Sequence, residues 1–345
     1  MSVRLKTLVT TTVLTAAIAA PAIARDQINI VGSSTVFPFS TTVAERFGKS
    51  TDFATPIVES TGSGGGLKLF CSGAGVDTPD ITNASRRIKS SEVELCAENG
   101  VNDIVEVKIG FDGIVLANAL GNDPVELSLQ DIFLALAKDV PNGEGALQPN
   151  PYTMWNEINP DLPAVKIEVL GPPPTSGTRD AFAELALEGG CKTFDWIKAM
   201  KKEDKAAYKS LCHTVREDGA YVEAGENDNL IVQKLEANPN AFGVFGYSFL
   251  EQNSDKVQGS LVDGVEPEFE LIADGDYPIA RSLYFYVKKD HVGVVPGIEE
   301  FLAEFTSEDA WGEDGYLADK GLIPLSDDER DDWAEKVKSL SPLSM

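Results

Sequence analysis

Three short segments rich in Ser, Thr and Gly carry residues suited to holding a small oxyanion: Gly32-Ser33-Ser34-Thr35-Val36-Phe37-Pro38, Gly62-Ser63-Gly64-Gly65-Gly66-Leu67 and Thr175-Ser176-Gly177-Thr178-Arg179. Each precedes a stretch patterned as a helix. Hydroxyls and unpaired amides therefore gather at helix starts, where the partial positive charge favours an anion without cationic side chains. One such turn is an ordinary strand-to-helix connection. Three of them, far apart in sequence, are read as one converging cage. Arg86 and Arg179 are the cations placed beside it, and Arg87 is assigned to solvent. A carboxylate in the cage would accept a hydrogen bond from a protonated oxyanion and repel one that carries no proton. Asp112 is the candidate, with Asp218, Glu226 and Asp228 in another loop as alternatives.

The elements that must position these turns alternate strand and helix. Ile28-Asn29-Ile30-Val31, Pro56-Ile57-Val58-Glu59 and Asp80-Ile81-Thr82-Asn83 read as strands, each followed by a helical pattern. The rhythm predicts a mainly parallel sheet covered by helices, with α/β architecture throughout. Ser90 is expected to cap the helix after the third strand, and residues 192–211 are expected to be helical. No flexible linker separates the two halves. The halves are therefore expected to be joined by strands crossing twice, at residues 111–118 and 282–286, with the ligand cleft between them.

The 345 residues carry a net charge of −26, which disfavours nucleic acid and anionic lipid as partners. Arg4 and Lys6 precede an apolar run over residues 8–20, and Ala22-Ile23-Ala24 follows; residues 1–24 read as a cleaved signal peptide. The first cysteine is Cys71, so no lipid anchor is expected. In an oxidising compartment four cysteines suggest disulfides, and sequence-local pairing gives Cys71 with Cys96 and Cys191 with Cys212, one of three connectivities. Two histidines, His213 and His291, and no Cys-x-x-Cys leave little for a metal site. A phosphatase finds no Gly-x-Ser-x-Gly elbow and no phosphate-binding loop ending in Gly-Lys-Ser/Thr.

Taken in order, the first two turns, Asn83-Ala84-Ser85-Arg86, Ser176-Gly177-Thr178-Arg179-Asp180-Ala181-Phe182 and Phe242-Gly243-Val244-Phe245-Gly246-Tyr247-Ser248 resemble the periplasmic phosphate-binding proteins of high-affinity phosphate ABC transporters. The resemblance implies a two-lobed, Venus-flytrap (type II) binding protein with a mixed sheet in each lobe. It divides the chain into lobe 1 (residues 25–112 and 284–345) and lobe 2 (residues 113–283). It implies a periplasmic monomer without cofactor or catalysis, which binds inorganic phosphate and meets permease subunits in the inner membrane. The phosphate ligands it implies are Thr35, Val36 and Phe37, with Ser34 as an alternative, then Ser63, and Ser176, Gly177 and Thr178. Two positions depart from the family pattern. Arg86 stands where an Asp is usual, and Pro172 where an Arg is usual, so the cation is expected at Arg86 or Arg179. A binder of sulfate or molybdate and a secreted phosphatase are the rival readings.

Overall fold

The computed structural model describes residues 25–174, 176–225 and 228–345; the expected signal peptide, Thr175 of the third turn and Glu226 lie outside them. A nine-stranded sheet runs through the molecule. Its strands are β1 (Asn29–Gly32), β2 (Ile57–Ser60), β3 (Ile81–Ala84), β4 (Ile104–Ala119), β5 (Val169–Gly171), β6 (Tyr221–Glu223), β7 (Phe242–Gly246), β8 (Val257–Gly259) and β9 (Ala280–Lys288). The order is β2-β1-β3-β9-β4-β7-β5-β6, with β8 also on β4.

Strands β1, β2 and β3 are parallel, because each connection returns over the sheet through a helix. Helix α1 (Phe37–Ser50) accepts Pro38 in its first turn, where a missing N–H costs nothing, and buries Phe39, Val43, Ala44 and Phe47 along one stripe. Helix α2 (Ser63–Phe70) lies so close to β1 that a Cβ on Gly66 would stand 2.4 Å from the Gly32 Cα. Glycine is required there by packing. Helix α3 (Ser90–Glu98) is capped differently from expectation: Lys89 is the cap position, and the Glu92 carboxylate accepts its amide at 2.9 Å. Ser90 is already inside the first turn.

The sheet is mixed rather than mainly parallel, because the two crossing strands run against their neighbours. β4 pairs with β9 from Ile104 to Gly113, then with β7 from Ile114 to Ala117, all antiparallel. One 16-residue strand thus belongs to both halves. Beyond it, β7, β5 and β6 are parallel. Two lobes result, each with its own core. One core draws on Ile30, Phe47, Val107, Phe285, Phe301 and Trp311; the other on Leu116, Phe133, Trp155, Phe182, Val244 and Tyr277.

In the second lobe, α4 (Leu129–Leu136) is capped by Ser128, whose hydroxyl accepts the Asp131 amide at 3.0 Å. Helix α5 (Gly177–Phe182) continues through a π-helical turn, Ala183–Leu187, into Glu188–Cys191. The single helix expected over residues 192–211 is two, α6 (Asp195–Glu203) and α7 (Lys205–His213). Asp204 breaks it, since its side chain accepts the Ala207 amide at 2.9 Å and starts a new helix. Disulfides join Cys71 to Cys96 and Cys191 to Cys212. The first ties the end of α2 to α3; the second ties the helical turn Glu188–Cys191 to α7. Among the described residues no helix is long and apolar enough to cross a membrane.

Candidate functional site

Because β1, β2 and β3 are parallel neighbours, their C-terminal ends open at one edge of the sheet, where ligands of α/β folds collect. Ser33, Ser34 and Thr35 follow β1, Gly62 and Ser63 follow β2, and Ser85 follows β3; all six line one cavity of about 370 Å3. The opposite wall comes from the segment after β5 and from α5: Pro174, Arg179, Asp180, Ala183 and Glu184, with Lys209 and His213 of α7 at its side.

The two walls touch. A Cβ on Gly177 would lie 2.9 Å from the Ser34 carbonyl oxygen and 3.0 Å from the Thr35 Cα, so only glycine lets α5 seat against the first turn. Ser34 Oγ donates to Asp180 Oδ2 at 2.7 Å. Ser63 Oγ accepts the Ser85 amide at 3.0 Å and also lies 3.0 Å from Ser85 Oγ, which fixes one donor-rich corner.

Arg281 on β9 is the cation that joins the walls. Nη2 donates to Thr35 Oγ1 at 2.6 Å, Nη1 to Glu184 Oε2 at 2.7 Å, and Nε to Asp112 Oδ2 at 3.3 Å. Its side chain is 10% exposed. Burial pushes the Asp112 carboxyl upward in pKa, and the guanidinium opposes that shift. Arg179 stacks over Tyr221 at 4.1 Å and donates Nη1 to the Pro172 carbonyl at 3.3 Å. Tyr221 donates to the same carbonyl at 2.8 Å, and burial pushes its phenol up to about 12.

Several expected ligands sit elsewhere. The Val36 amide donates to Ser33 Oγ at 3.3 Å and the Phe37 amide to the Ser33 carbonyl at 3.0 Å, so the turn consumes both donors internally. Ser176 Oγ accepts the Thr178 amide at 3.2 Å and serves as the cap of α5; Ser176, Gly177 and Thr178 shape the wall without lining the cavity. Arg86 does not line it either. Its Nη1 and Nη2 grip both Glu92 oxygens at 2.9 and 2.7 Å, a bidentate pair that raises its pKa further. Arg87 stands on the exposed surface, as expected, where it is forked onto Glu106 at 2.8 and 2.9 Å.

The expected carboxylates are likewise engaged. Asp112 stands behind Arg281, off the lining. Asp218 neutralises the buried Arg216, whose hydrogen bonds hold its pKa down. Asp228 is buried and accepts the Gly246 amide at 3.3 Å, and burial raises its pKa to about 6. Asp180 and Glu184 are the carboxylates on the cavity. Neither was singled out from the sequence, nor were Arg281, Lys209 and His213. Only Arg281 had an available signal, its place at the head of a predicted crossing strand, and its meeting with Asp112 needs the strand register. Both histidines are committed away from hydroxyls: His213 Nε2 lies 2.8 Å from Glu188, and His291 Nδ1 lies 2.6 Å from Asp80.

Two lobes joined by a shared strand, with a donor-rich cavity where their walls meet, define a two-lobed binding protein for a small anion. Residues 17–309 match the family model described as a PBP superfamily domain. The phosphate-binding protein PstS of Staphylococcus saprophyticus is 30% identical over 319 residues, covering 90% of this chain and 83% of the relative. PstS of Staphylococcus haemolyticus is 31% identical, covering 83% and 79%. The crystal structure of a possible phosphate binding protein from Planctomyces limnophilus superposes with a TM-score of 0.72 at 25% identity, covering 91% of this chain and 98% of that one. An ABC-type phosphate transport receptor from Vibrio cholerae shares the fold, with a TM-score of 0.56 at 18% identity over 87% of this chain and all of that one. The chain belongs to the PstS family of phosphate-binding proteins within the PBP superfamily.

Proposed function

We propose that this protein binds one inorganic phosphate between its lobes and hands it to an ABC-type permease. The observation that carries the reading is the cavity itself, where hydroxyls of Ser34, Thr35 and Ser63 face Arg179, Asp180 and Glu184, with Arg281 bonded to Thr35 and Glu184 behind the lining. Family membership supplies the ligand class and the transport role. The lobes divide at residues 25–112 plus 284–345 and 113–283, in keeping with the two cores and with the change of β4 partner at Gly113. After export directed by residues 1–24, the chain works in the periplasm as a monomer, without turnover; His213, the histidine on the cavity, has its Nε2 held by Glu188.

Binding proceeds by closure. Phosphate bonds both walls at once and so favours the closed arrangement by its differential affinity. The Ser34–Asp180 and Thr35–Arg281–Glu184 contacts mark where its oxygens insert. Asp180 or Glu184 accepts the proton on hydrogen phosphate; sulfate, having none, meets a carboxylate lone pair instead. Isothermal titration with phosphate, sulfate and molybdate tests this. One-to-one binding of phosphate alone is expected. Tight sulfate binding overturns the phosphate assignment, and hydrolysis of a chromogenic phosphate ester that persists through repurification overturns the non-enzymatic one.

A further inference from the structure

A second, larger cavity of about 890 Å3 lies at the opposite edge of the second-lobe sheet and shares no lining residue with the first. The placement follows from strand direction. The third turn leaves the C-terminal end of β5, whereas Phe242, at the start of β7, pairs with Val169 at the start of β5 and lines the second cavity. Asn118, one residue beyond the Ala117–Gly243 pair, lines it too.

The chemistry of this cavity is the reverse of the first. Asp123, Glu126, Asp131 and Asp161 line it, Asp131 being held by the Ser128 amide and hydroxyl, and among the described residues no Lys or Arg lines it. Asn118 is 4% exposed, and among the described residues its Oδ1 has no hydrogen-bond partner. A buried acceptor left without a donor is costly, and it marks a place where an incoming N–H gains most. Among the described residues the acids form no group able to hold a metal ion. Negative charge that is spread out, with Leu162 and Phe242 between, suits several separate cationic groups on an apolar stem better than one compact ion.

We propose that this cleft binds a linear polyamine, its ammonium groups paired with Asp123, Glu126 and Asp161 and one N–H reaching the Asn118 amide. The site is independent of the phosphate cavity, so both ligands are held together. The test is titration of phosphate-saturated protein with spermidine at near-physiological ionic strength. It is followed by calorimetry and by NMR of the Asn118 side-chain amide. A saturable one-site isotherm with a shift of that amide is expected. The double variant Asp123→Asn/Asp161→Asn should bind spermidine at least tenfold more weakly, with phosphate affinity unchanged. Equal spermidine binding by the double variant, or an unmoved Asn118 amide, overturns the proposal, since attraction to an acidic chain at large would then account for the heat. Displacement by magnesium at equal charge concentration overturns it as well. A short Lys/Arg peptide that binds more tightly than spermidine, with the same Asn118 signature, transfers the cleft to a peptide ligand and overturns the polyamine assignment.

Discussion

The two walls of the anion cavity are made of different materials. The first-lobe wall is neutral: serine and threonine hydroxyls at the ends of three parallel strands. The facing wall is charged, with Arg179, Asp180, Glu184 and Lys209, and Arg281 reaches into it from the crossing strand. A neutral donor wall binds any small oxyanion. A wall holding both signs discriminates, because each oxygen must find its complement or leave a desolvated group unpaired. In a chain of net charge −26 the division also confines the attractive charge to a few sites.

The sharpest way to break this contrast is Arg281→Met. The substitution leaves Thr35, Glu184 and Asp112 without their shared donor, so that Glu184 on the cavity and Asp112 behind it are both uncompensated beside phosphate. Phosphate affinity should fall by at least 100-fold, about 3 kcal/mol. A loss below threefold by calorimetry would remove Arg281 from the site. Next come the disulfides, each bracing one wall. Replacing Cys191 and Cys212 by Ala should lower unfolding stability by about 3 kcal/mol and loosen α7 against the helical turn Glu188–Cys191, which continues the π-helical segment holding Glu184. Removing Cys71–Cys96 should cost a similar amount and disturb the neutral wall instead. Denaturant curves compare the two, and equal phosphate affinity in both reduced variants would show that neither wall depends on its brace.

The neutral wall was legible in the sequence, whereas of the charged wall only Arg179 and the turn that carries it were, for a physical reason. Glycine and hydroxyl residues at a strand-to-helix turn are a local requirement of backbone geometry, so the turns at Ser33, Ser63 and Ser176 stand out one at a time. The β–α rhythm and the crossing strands were legible for the same reason, since periodicity and turn chemistry are local. Arg281 meets Asp112 only through antiparallel register, and Lys209 reaches the cavity only because a disulfide packs α7 there. Arg86 shows the converse. Its position beside Ser85 suggested an anion ligand, but Glu92 six residues on is nearer and takes the whole guanidinium.

Behind the charged wall, Asp228 measures what burial of charge costs. Its folded-state pKa of about 6 lies above the ordinary carboxyl value, so the protonated form is favoured in the fold. Its contribution is complete below about pH 4 and is lost as pH rises through 6. Asp228→Asn keeps an acceptor for the Gly246 amide and removes the charge. It should stabilise the protein at neutral pH by about 2 kcal/mol and flatten the stability profile between pH 4 and 6. Thermal melts across that interval check it, and a profile identical to that of the parent would show that Asp228 is better solvated than its surroundings imply.

Ser63→Ala sharpens the neutral side. The Ser85 amide loses its acceptor and the cavity loses a hydroxyl, so affinity should drop by about 1–2 kcal/mol and unfolding stability by about 1 kcal/mol. The smallest expected effect is at Arg86, where sequence and structure part company most clearly. Arg86→Gln breaks the pair with Glu92 on a half-buried surface, yet it removes nothing that faces the cavity. Phosphate affinity should stay within about 0.5 kcal/mol, as for an ordinary surface substitution. A tenfold loss would mean that the guanidinium leaves Glu92 when phosphate arrives. The neutral wall would then carry a cation of its own, and the contrast between the two walls would fail.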